Sequence, residues 1–590
     1  MEKQDVGKIK HTKGKMLLRL WHYIGRNRLM LLLAMLLSVV GSLLALYGPK
    51  LSGQAINAID LGEGMVDFDT VLKCVVLMAV FYGVSSLLTY LFNIVMIHIS
   101  AKISRQMRHD IFEKMSALPV GFYDKYQTGN IISIVTYDVD TVNQSISSDL
   151  MQILQSIITV AVSFAMMLSI APRLVFIFVF TVPATAFFTR WLANRVRPMF
   201  RRRSAKLGEL NGFVEEMLSG QKTIHAYGRE KAVLDKFDEK NQSAVDAYTI
   251  AEANGTVTGP SVTFINNISL TLVCVFGSLL FLHGNIRLGD LSSFVQYSRK
   301  FSGPINEVAN IIAELQSAFA AAERVFSLID AEPERADREN AVTLTDVKGC
   351  VTLEHVDFSY LPGRPVIRDF TMTAKPGSLT AIVGPTGAGK TTIINLLMRF
   401  YDVDKGAVCV DGMDIRSLTR ASLRRAYTMV LQETWLFHGT IFENIAYGKP
   451  DATMEEVIKA AKAAKIHSYI SSLPNGYNTV LSDNGASISK GQKQLMTIAR
   501  AMLLDAHMLI LDEATSNVDT RTEQQIQEAM RELMKEKTCF VIAHRLSTVR
   551  TADHILVMKD GQVIEQGTHD SLMKANGFYR ELYEAQFEAV

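Results

Sequence analysis

An all-α transmembrane domain of six helices, followed by an α/β P-loop nucleotide-binding domain, is the architecture this sequence predicts. Three observations predict it. The first half carries six long apolar runs. The second half carries Gly384-Pro385-Thr386-Gly387-Ala388-Gly389-Lys390-Thr391-Thr392 between a strand-like apolar run and a helix-like one. Further on, Met508-Leu509-Ile510-Leu511-Asp512-Glu513 reads as a buried strand that ends in carboxylates.

Composition bounds the rest. At 590 residues, about 150 per domain allows three or four domains. A formal net charge of +2 excludes nucleic acid as a partner held by bulk electrostatics. Hydrophobic residues make up 48%, and this average conceals an apolar first half and a second half that reads as a soluble α/β protein. Cys74, Cys274, Cys350, Cys409 and Cys539 are scattered, with no C-x-x-C pair, which argues against a zinc site or a disulfide framework. Residues 1–28 are too polar for a cleavable signal and the run after them is too long for its apolar core.

The first run, Leu29 to Tyr47, covers roughly 28 Å at ~1.5 Å per residue, close to the ~30 Å of the hydrocarbon layer. Further spans are expected at 71–99, 151–170, 174–192, 261–283 and 291–313, the last being the most polar. Lys and Arg are dense before the first span and again from Arg195 to Lys206, whereas Asp60, Glu63, Asp67 and Asp69 follow the first span. This asymmetry predicts a cytoplasmic N-terminus in the plasma membrane. The connections 100–150 and 193–260 are helical in pattern and should extend the helices into the cytosol. Each contains a break, one at Pro119–Asp124 and Gln127–Gly129, one near Gly220 and Tyr227-Gly228. From the residues alone each is either a hairpin tip that presses on another domain or a solvated loop. Among polar residues inside spans, Asn266 and Asn267 read as helix–helix hydrogen-bonding groups; these two, Gln296 and Arg299 are also candidates for lining a substrate path.

Ala331 to Asn340 is charged, contains Pro333 and lacks apolar periodicity, so a linker over 326–350 is expected between a transmembrane domain at 29–325 and a nucleotide-binding domain at 351–590. In that second domain Leu379–Val383 reads as a strand and Ile393–Leu397 as a helix, the context that a G-x-x-x-x-G-K-T loop requires. Glycines let the loop's N–H groups turn toward phosphate oxygens, and the helix N-terminus adds partial positive charge there. Lys390 would reach the β- and γ-phosphates of ATP, and the Thr391 hydroxyl would ligate Mg²⁺. Asp512 would hold the same ion through water. Glu513 is placed to activate an attacking water.

With these residues in place, the chain resembles a half-transporter of the ATP-binding cassette (ABC) exporter family, and the resemblance covers nearly the whole sequence. Its most specific mark is Ile488-Ser489-Lys490-Gly491-Gln492, which sits shortly before the Asp512 strand as the family's signature loop does. The resemblance further implies that Tyr360 stacks on adenine and that Gln432 touches Mg²⁺. It implies that Ser516–Asp519 crosses to a partner chain and that His544 contacts the γ-phosphate. The two helix-break segments then correspond to coupling helices. In this family each ATP lies between the phosphate loop of one cassette and the signature of another, so Ser489, Gly491 and Gln492 would serve a partner's nucleotide.

The signature departs from the family's L-S-G-G-Q, with Ile488 for leucine and Lys490 for glycine, and Leu481–Gly485 departs from the usual preceding run. The phosphate loop, Glu513 and His544 are intact. This mixture resembles the catalytically complete subunit of heterodimeric bacterial multidrug exporters; a homodimer that tolerates lysine is the alternative. The implied function is ATP-driven export of small amphipathic or hydrophobic substrates, drugs or lipids, across the bilayer. The rival readings are a lipid flippase or peptide exporter with the same machinery, and an ATP-gated channel or regulatory protein. The short N-terminal segment leaves no room for a peptidase domain, which disfavours leader-processing peptide export.

Overall fold

A computed structural model describes residues 13–59, 66–431, 434–481, 488–512, 519–542 and 549–587. The chain divides into two compact units, one of residues 1–117 and 125–331, the other of residues 118–124 and 332–590.

The first unit is helical among its described residues apart from turns and an isolated antiparallel bridge between Ile59 and Val66. A short amphipathic helix, Lys13–Gly25, buries Met16, Leu20 and Ile24 at i, i+4, i+8 spacing. Long helices follow at Arg28–Asn57, Phe68–Ser116, Pro172–Ser219 and Leu288–Ile329. A composite run, Thr128–Ile170, carries two wide π turns at Ile134–Asp138 and Ser145–Asp149. Another pair, Glu230–Thr256 and Thr258–Leu282, is nearly continuous. Five of these are long and apolar enough to cross a membrane. Their outward faces show large apolar side chains such as Leu29, Phe176, Phe180, Phe187 and Leu282, as a helix bundle solvated by lipid should. The helix Phe68–Ser116 alone has 49 residues, about 74 Å at ~1.5 Å per residue, more than twice the hydrocarbon thickness.

Leu288–Ile329 misses the apolarity of the others, and packing explains why. Pro49 sits inside the first long helix and has no N–H, so the carbonyl of Ala45, four residues back, loses its usual donor. Lys300 Nζ lies 3.2 Å from that oxygen. Tyr297 donates to Leu46 O at 2.7 Å and Ser293 to Pro49 O at 2.8 Å. Gln296 Nε2 reaches Ser52 Oγ at 3.2 Å, a helix–helix bond. One turn on, Gly53 faces Gly289, and a Cβ on either would collide with the other's carbonyl. Small residues at a crossing are how membrane helices approach closely. Asn266 and Asn267 differ from the expectation: Asn266 is half-buried and Asn267 exposed, and neither side chain bonds a neighbouring helix among the described residues.

In the second unit the strands are β1 (Val351–Phe358), β2 (Ile367–Ala374), β3 (Leu379–Val383), β4 (Lys405–Val410), β5 (Met413–Asp414), β6 (Tyr427–Val430), β7 (Gly439–Thr440), β8 (Val480–Leu481), β9 (Met508–Asp512), β10 (Thr538–Ile542), β11 (His554–Lys559) and β12 (Gln562–Gly567). They form an antiparallel sheet β2-β1-β4-β5, a six-stranded sheet β12-β11-β3-β10-β9-β6 and a small β7-β8 pair. In the six-stranded sheet β11, β3, β10, β9 and β6 run parallel. Both faces are covered. Leu509, Leu511 and Val541 pack with the helices Met454–Ala463, Lys490–Leu504 and Thr520–Met534. Met508, Ile510 and Phe540 pack with the helix Lys390–Leu397 and the antiparallel sheet. A parallel sheet buried on both sides needs apolar residues at every position, which is why these strands read as uninterrupted apolar runs.

The charged segment after Ala331 has no regular structure through Arg338, but it is tied down. Asp337 accepts from the Arg420 backbone N–H at 3.0 Å and from Arg420 Nη1 at 2.8 Å, and Glu334 pairs with Arg424. Arg420 is nearly buried and its partners partly so. Replacing it by alanine should leave Asp337 with only the more distant Arg399 at 3.7 Å as a side-chain cation among the described residues and cost about 1–3 kcal/mol, between the exposed and the buried limits for ion pairs. A lowered apparent melting temperature of the full chain in detergent is the expected readout, and an unchanged one would mean the segment is held otherwise.

Candidate functional site

The loop Gly384–Gly389 joins β3 to the helix Lys390–Leu397. Gly387 and Gly389 lie at φ 86° and 100°, in the left-handed region where side chains are strained. A Cβ on Gly384 would strike the carbonyl of Met558 on the neighbouring strand. Lys390 Nζ lies over the loop, 2.7 Å from Gly384 O and 3.1 Å from Pro385 O. Burial lowers the pKa of this ammonium from its ordinary value, and the nearby Asp512 carboxylate opposes that shift. The lysine at the loop and the aspartate at the end of β9 thus sense one another.

Asp512 ends β9 and pairs in register with Ile542 at the end of β10. It sits at the carboxyl edge of the parallel strands, the edge where α/β sheets bind ligands. Thr386 and Thr391 are exposed at the loop, while Ala388 and Thr392 are buried. The glycine-lined loop, a cation, a hydroxyl and a carboxylate suit a nucleotide triphosphate with Mg²⁺: N–H groups and Lys390 for phosphate, hard oxygen donors for the ion.

Tyr360 stands beside the same helix. Asn395 Nδ2 donates to its hydroxyl at 3.0 Å, and that hydroxyl lies 3.3 Å from Thr392 Oγ1. Its ring meets Phe358 and Tyr401 edge-on, with centroids 4.9 Å and 5.0 Å away.

Ser489 starts the helix Lys490–Leu504 through a capping box: its Oγ accepts from Gln492 N–H at 3.3 Å, and its N–H donates to Gln492 Oε1 at 3.1 Å. The Gln492 side chain is therefore occupied locally. Gly491 is buried and Lys490 exposed. Gln432, Glu513, His544 and the crossing residues 516–518 lie outside the described residues. Asp519, next to them, caps the helix Thr520–Met534 by accepting from Thr522 N–H at 2.9 Å.

Sequence reasoning missed Tyr401. It lies after the loop helix, and its hydroxyl donates to Asp124 at 2.6 Å. Asp124 belongs to the short helix Val120–Lys125, and residues 118–124 group with this unit although the chain around them belongs to the other. Gly121 faces the Tyr401 ring closely enough that a Cβ would come within 2.8 Å of it. Burial and the Asp124 carboxylate both push the Tyr401 pKa up, so the phenol stays a donor. Only its aromatic character two residues after Arg399 stood in the sequence, and that names no partner. Arg500 was also missed: it lies over the Phe437 and Tyr447 rings and donates to Asn444 O at 2.8 Å.

Family models match both halves: the ABC transporter transmembrane region over residues 31–305 and the ABC transporter domain over residues 367–516. An uncharacterized ABC transporter ATP-binding protein, YfiC of Bacillus subtilis (strain 168), is 43% identical over 98% of this chain and 96% of its own length. A fatty acid ABC transporter ATP-binding/permease protein of Mycobacterium bovis is 44% identical over 89% of this chain and 83% of its own. The solved structure of a bacterial Atm1-family ABC exporter with ATP bound superposes with a TM-score of 0.78 at 29% identity, covering 95% of this chain and 98% of that one. A lipid-solvated helical unit and a phosphate-loop ATPase unit on one polypeptide, matched end to end in this way, place the chain in the ABC transporter family as an exporter-type membrane protein with its own ATPase domain.

Proposed function

We propose that this chain is one half of a dimeric pump that uses ATP hydrolysis to export amphipathic or hydrophobic molecules by alternating access. The observation that carries it is the Tyr401–Asp124 bond. It fastens a segment taken from between two long membrane helices beside Tyr360 and the phosphate-loop helix. An ATPase that served only as a sensor of nucleotide has no need of that attachment.

In this reading the N–H groups of Gly384 to Gly389, with Lys390, hold the phosphates. Thr391, Asp512 and Gln432 hold Mg²⁺, which when bound neutralises phosphate charge. Tyr360 takes the adenine. Glu513 serves as general base, and His544 contacts the γ-phosphate. Ser489, Gly491 and Gln492 face the nucleotide of a partner chain. Lysine at 490 replaces a glycine whose missing side chain would let phosphate approach, so the site built on this signature is the weaker one. That favours a heterodimer whose partner carries the intact signature. The excess of Lys and Arg before the first span and after the fourth supports cytoplasmic termini and a plasma-membrane location. A fatty acid transporter among the relatives supports lipid-like cargo as well as drugs, and transport of lipid between leaflets is the second reading.

Three measurements test this. Glu513→Gln should keep ATP binding and lower turnover by about 10²–10⁴; turnover at the wild-type rate removes the glutamate from the role of base. Tyr401→Phe keeps the ring and removes its bond to Asp124. It should leave basal ATP hydrolysis near wild type while transport per ATP in vesicles falls several-fold; an unchanged ratio would make the bond a bystander. The third is the oligomeric state and activity of the chain purified alone. The heterodimer predicts weak self-association and low ATPase activity, and a stable, fully active homodimer overturns it.

A further inference from the structure

The first unit contains a cavity of about 910 Å³ between the amphipathic helix Lys13–Gly25 and the helix Phe68–Ser116. Its charge is one-sided. Arg26, Lys102, Arg105, His22 and His109 line it, and among the described residues Asp110 is the only carboxylate that does. Two of the charged groups are already satisfied. Arg19 donates two hydrogen bonds to the Asp330 carboxylate, both at 2.6 Å, and lies over the Phe326 ring. Asp110 accepts from Tyr23 at 2.7 Å and from Gln106 at 2.6 Å. His109 lies 3.9 Å from Glu113, whereas Arg26, Lys102 and Arg105 have no carboxylate partner among the described residues. Lys102 Nζ reaches only the Met30 thioether, at 3.9 Å. Three permanent positive charges therefore converge on one cavity whose only carboxylate among the described residues is Asp110, held by neutral donors, which leaves the cavity net positive.

Its surroundings restrict what can supply that charge. Arg26 stands three residues before Leu29, where the apolar run begins, so the cavity lies at the level of the membrane interface. Leu18 and Trp21 project outward from the amphipathic helix, and Leu29 and Leu33 project outward from the start of the first span. Trp is the residue that prefers headgroup level. Ile103, Phe326 and Ile329 give the cavity an apolar wall. A soluble anion would meet the cations and nothing else here. A phospholipid would place its phosphate among them and lay its acyl chains along the outward leucines.

We propose that this cavity binds the phosphate headgroup of one anionic phospholipid, retained from the bilayer beside the first helix. The lipid is a resident ligand of the first unit, separate from cargo and from the nucleotide.

The full chain, purified in detergent and mixed with phosphatidylglycerol or phosphatidylcholine, should retain one phosphatidylglycerol in preference by native mass spectrometry. Lys102→Ala with Arg105→Ala should cut that preference about 30-fold, the effect of removing two cations near a membrane surface. The charge-keeping pair Lys102→Arg with Arg105→Lys should retain it. Excess inorganic phosphate should fail to displace the lipid. Equal retention of the two lipids by the wild type overturns the proposal. So does an unchanged preference in the alanine variant, or its loss in the charge-keeping one. Displacement by inorganic phosphate alone would assign the site to a soluble anion and overturn the lipid.

Discussion

Hydrocarbon offers no hydrogen bond to a backbone carbonyl, so each one that a membrane helix frees must find a donor inside the protein. Pro49 frees the carbonyl of Ala45, and the way it is answered organises the membrane unit. Lys300, Tyr297 and Ser293 all donate to the stretch Ala45–Pro49 from one helix. That helix has to carry polar groups, so it cannot be as apolar as its neighbours. It also has to lie close, and the facing Gly53 and Gly289 allow this. Polarity that looks like a weak membrane signal is therefore the counterpart of a proline in another span. A polar residue inside a span is a candidate for the substrate path only after such obligations are met. Gln296, bonded to Ser52, has one.

The ATPase unit meets a related constraint with different means. Its parallel strands are covered on both faces, so the only open direction is along the strands, at their carboxyl ends. The phosphate loop and Asp512 both emerge there. Lys390 is half-buried at this edge, bonded to two loop carbonyls and within electrostatic reach of Asp512. Partial burial weakens its hydration and lowers its pKa, which leaves the ammonium short of favourable partners. A phosphate group supplies charge that carbonyl dipoles cannot. The site is thereby prepared electrostatically as well as sterically.

How much of this was legible follows from the range of the interactions. The phosphate loop, β3 and β9 rest on contiguous residues, and Leu379–Val383 and Met508–Asp512 could be read directly. The long helices were legible as extensions because their patterns continue past the apolar runs. The two π turns inside Thr128–Ile170 were not, since a wide turn leaves no mark in apolar spacing. The ties of Asp337 to Arg420 and of Tyr401 to Asp124 span 83 and 277 residues, and no local pattern encodes either. Asn266 and Asn267 show the converse: the sequence offers a hydrogen-bonding residue, and only geometry decides whether a neighbour accepts it. Candidate residues on the phosphate loop are brought together by one turn of chain, whereas Ser489 to Gln492 open a different helix altogether.

That second helix start bears on the proposed dimer. The capping box uses the N–H groups of Ser489 and Gln492. Among the described residues the N–H groups of Lys490 and Gly491 have no acceptor, as expected for a first helical turn. Lys490 adds a positive charge at the positive end of the helix dipole, a placement that costs roughly 0.3–1 kcal/mol at an exposed site. Among the described residues no carboxylate pairs with Lys490 to offset that penalty. An anion brought against this end would, by using the free N–H groups and the ammonium together. The chain has a single phosphate loop, and it belongs to the helix Lys390–Leu397. Under the proposed dimer the missing anion is the triphosphate held by a partner's loop, and the lysine that hinders close approach for hydrolysis still helps to bind it. A site that holds nucleotide without turning it over follows from that division between charge and shape.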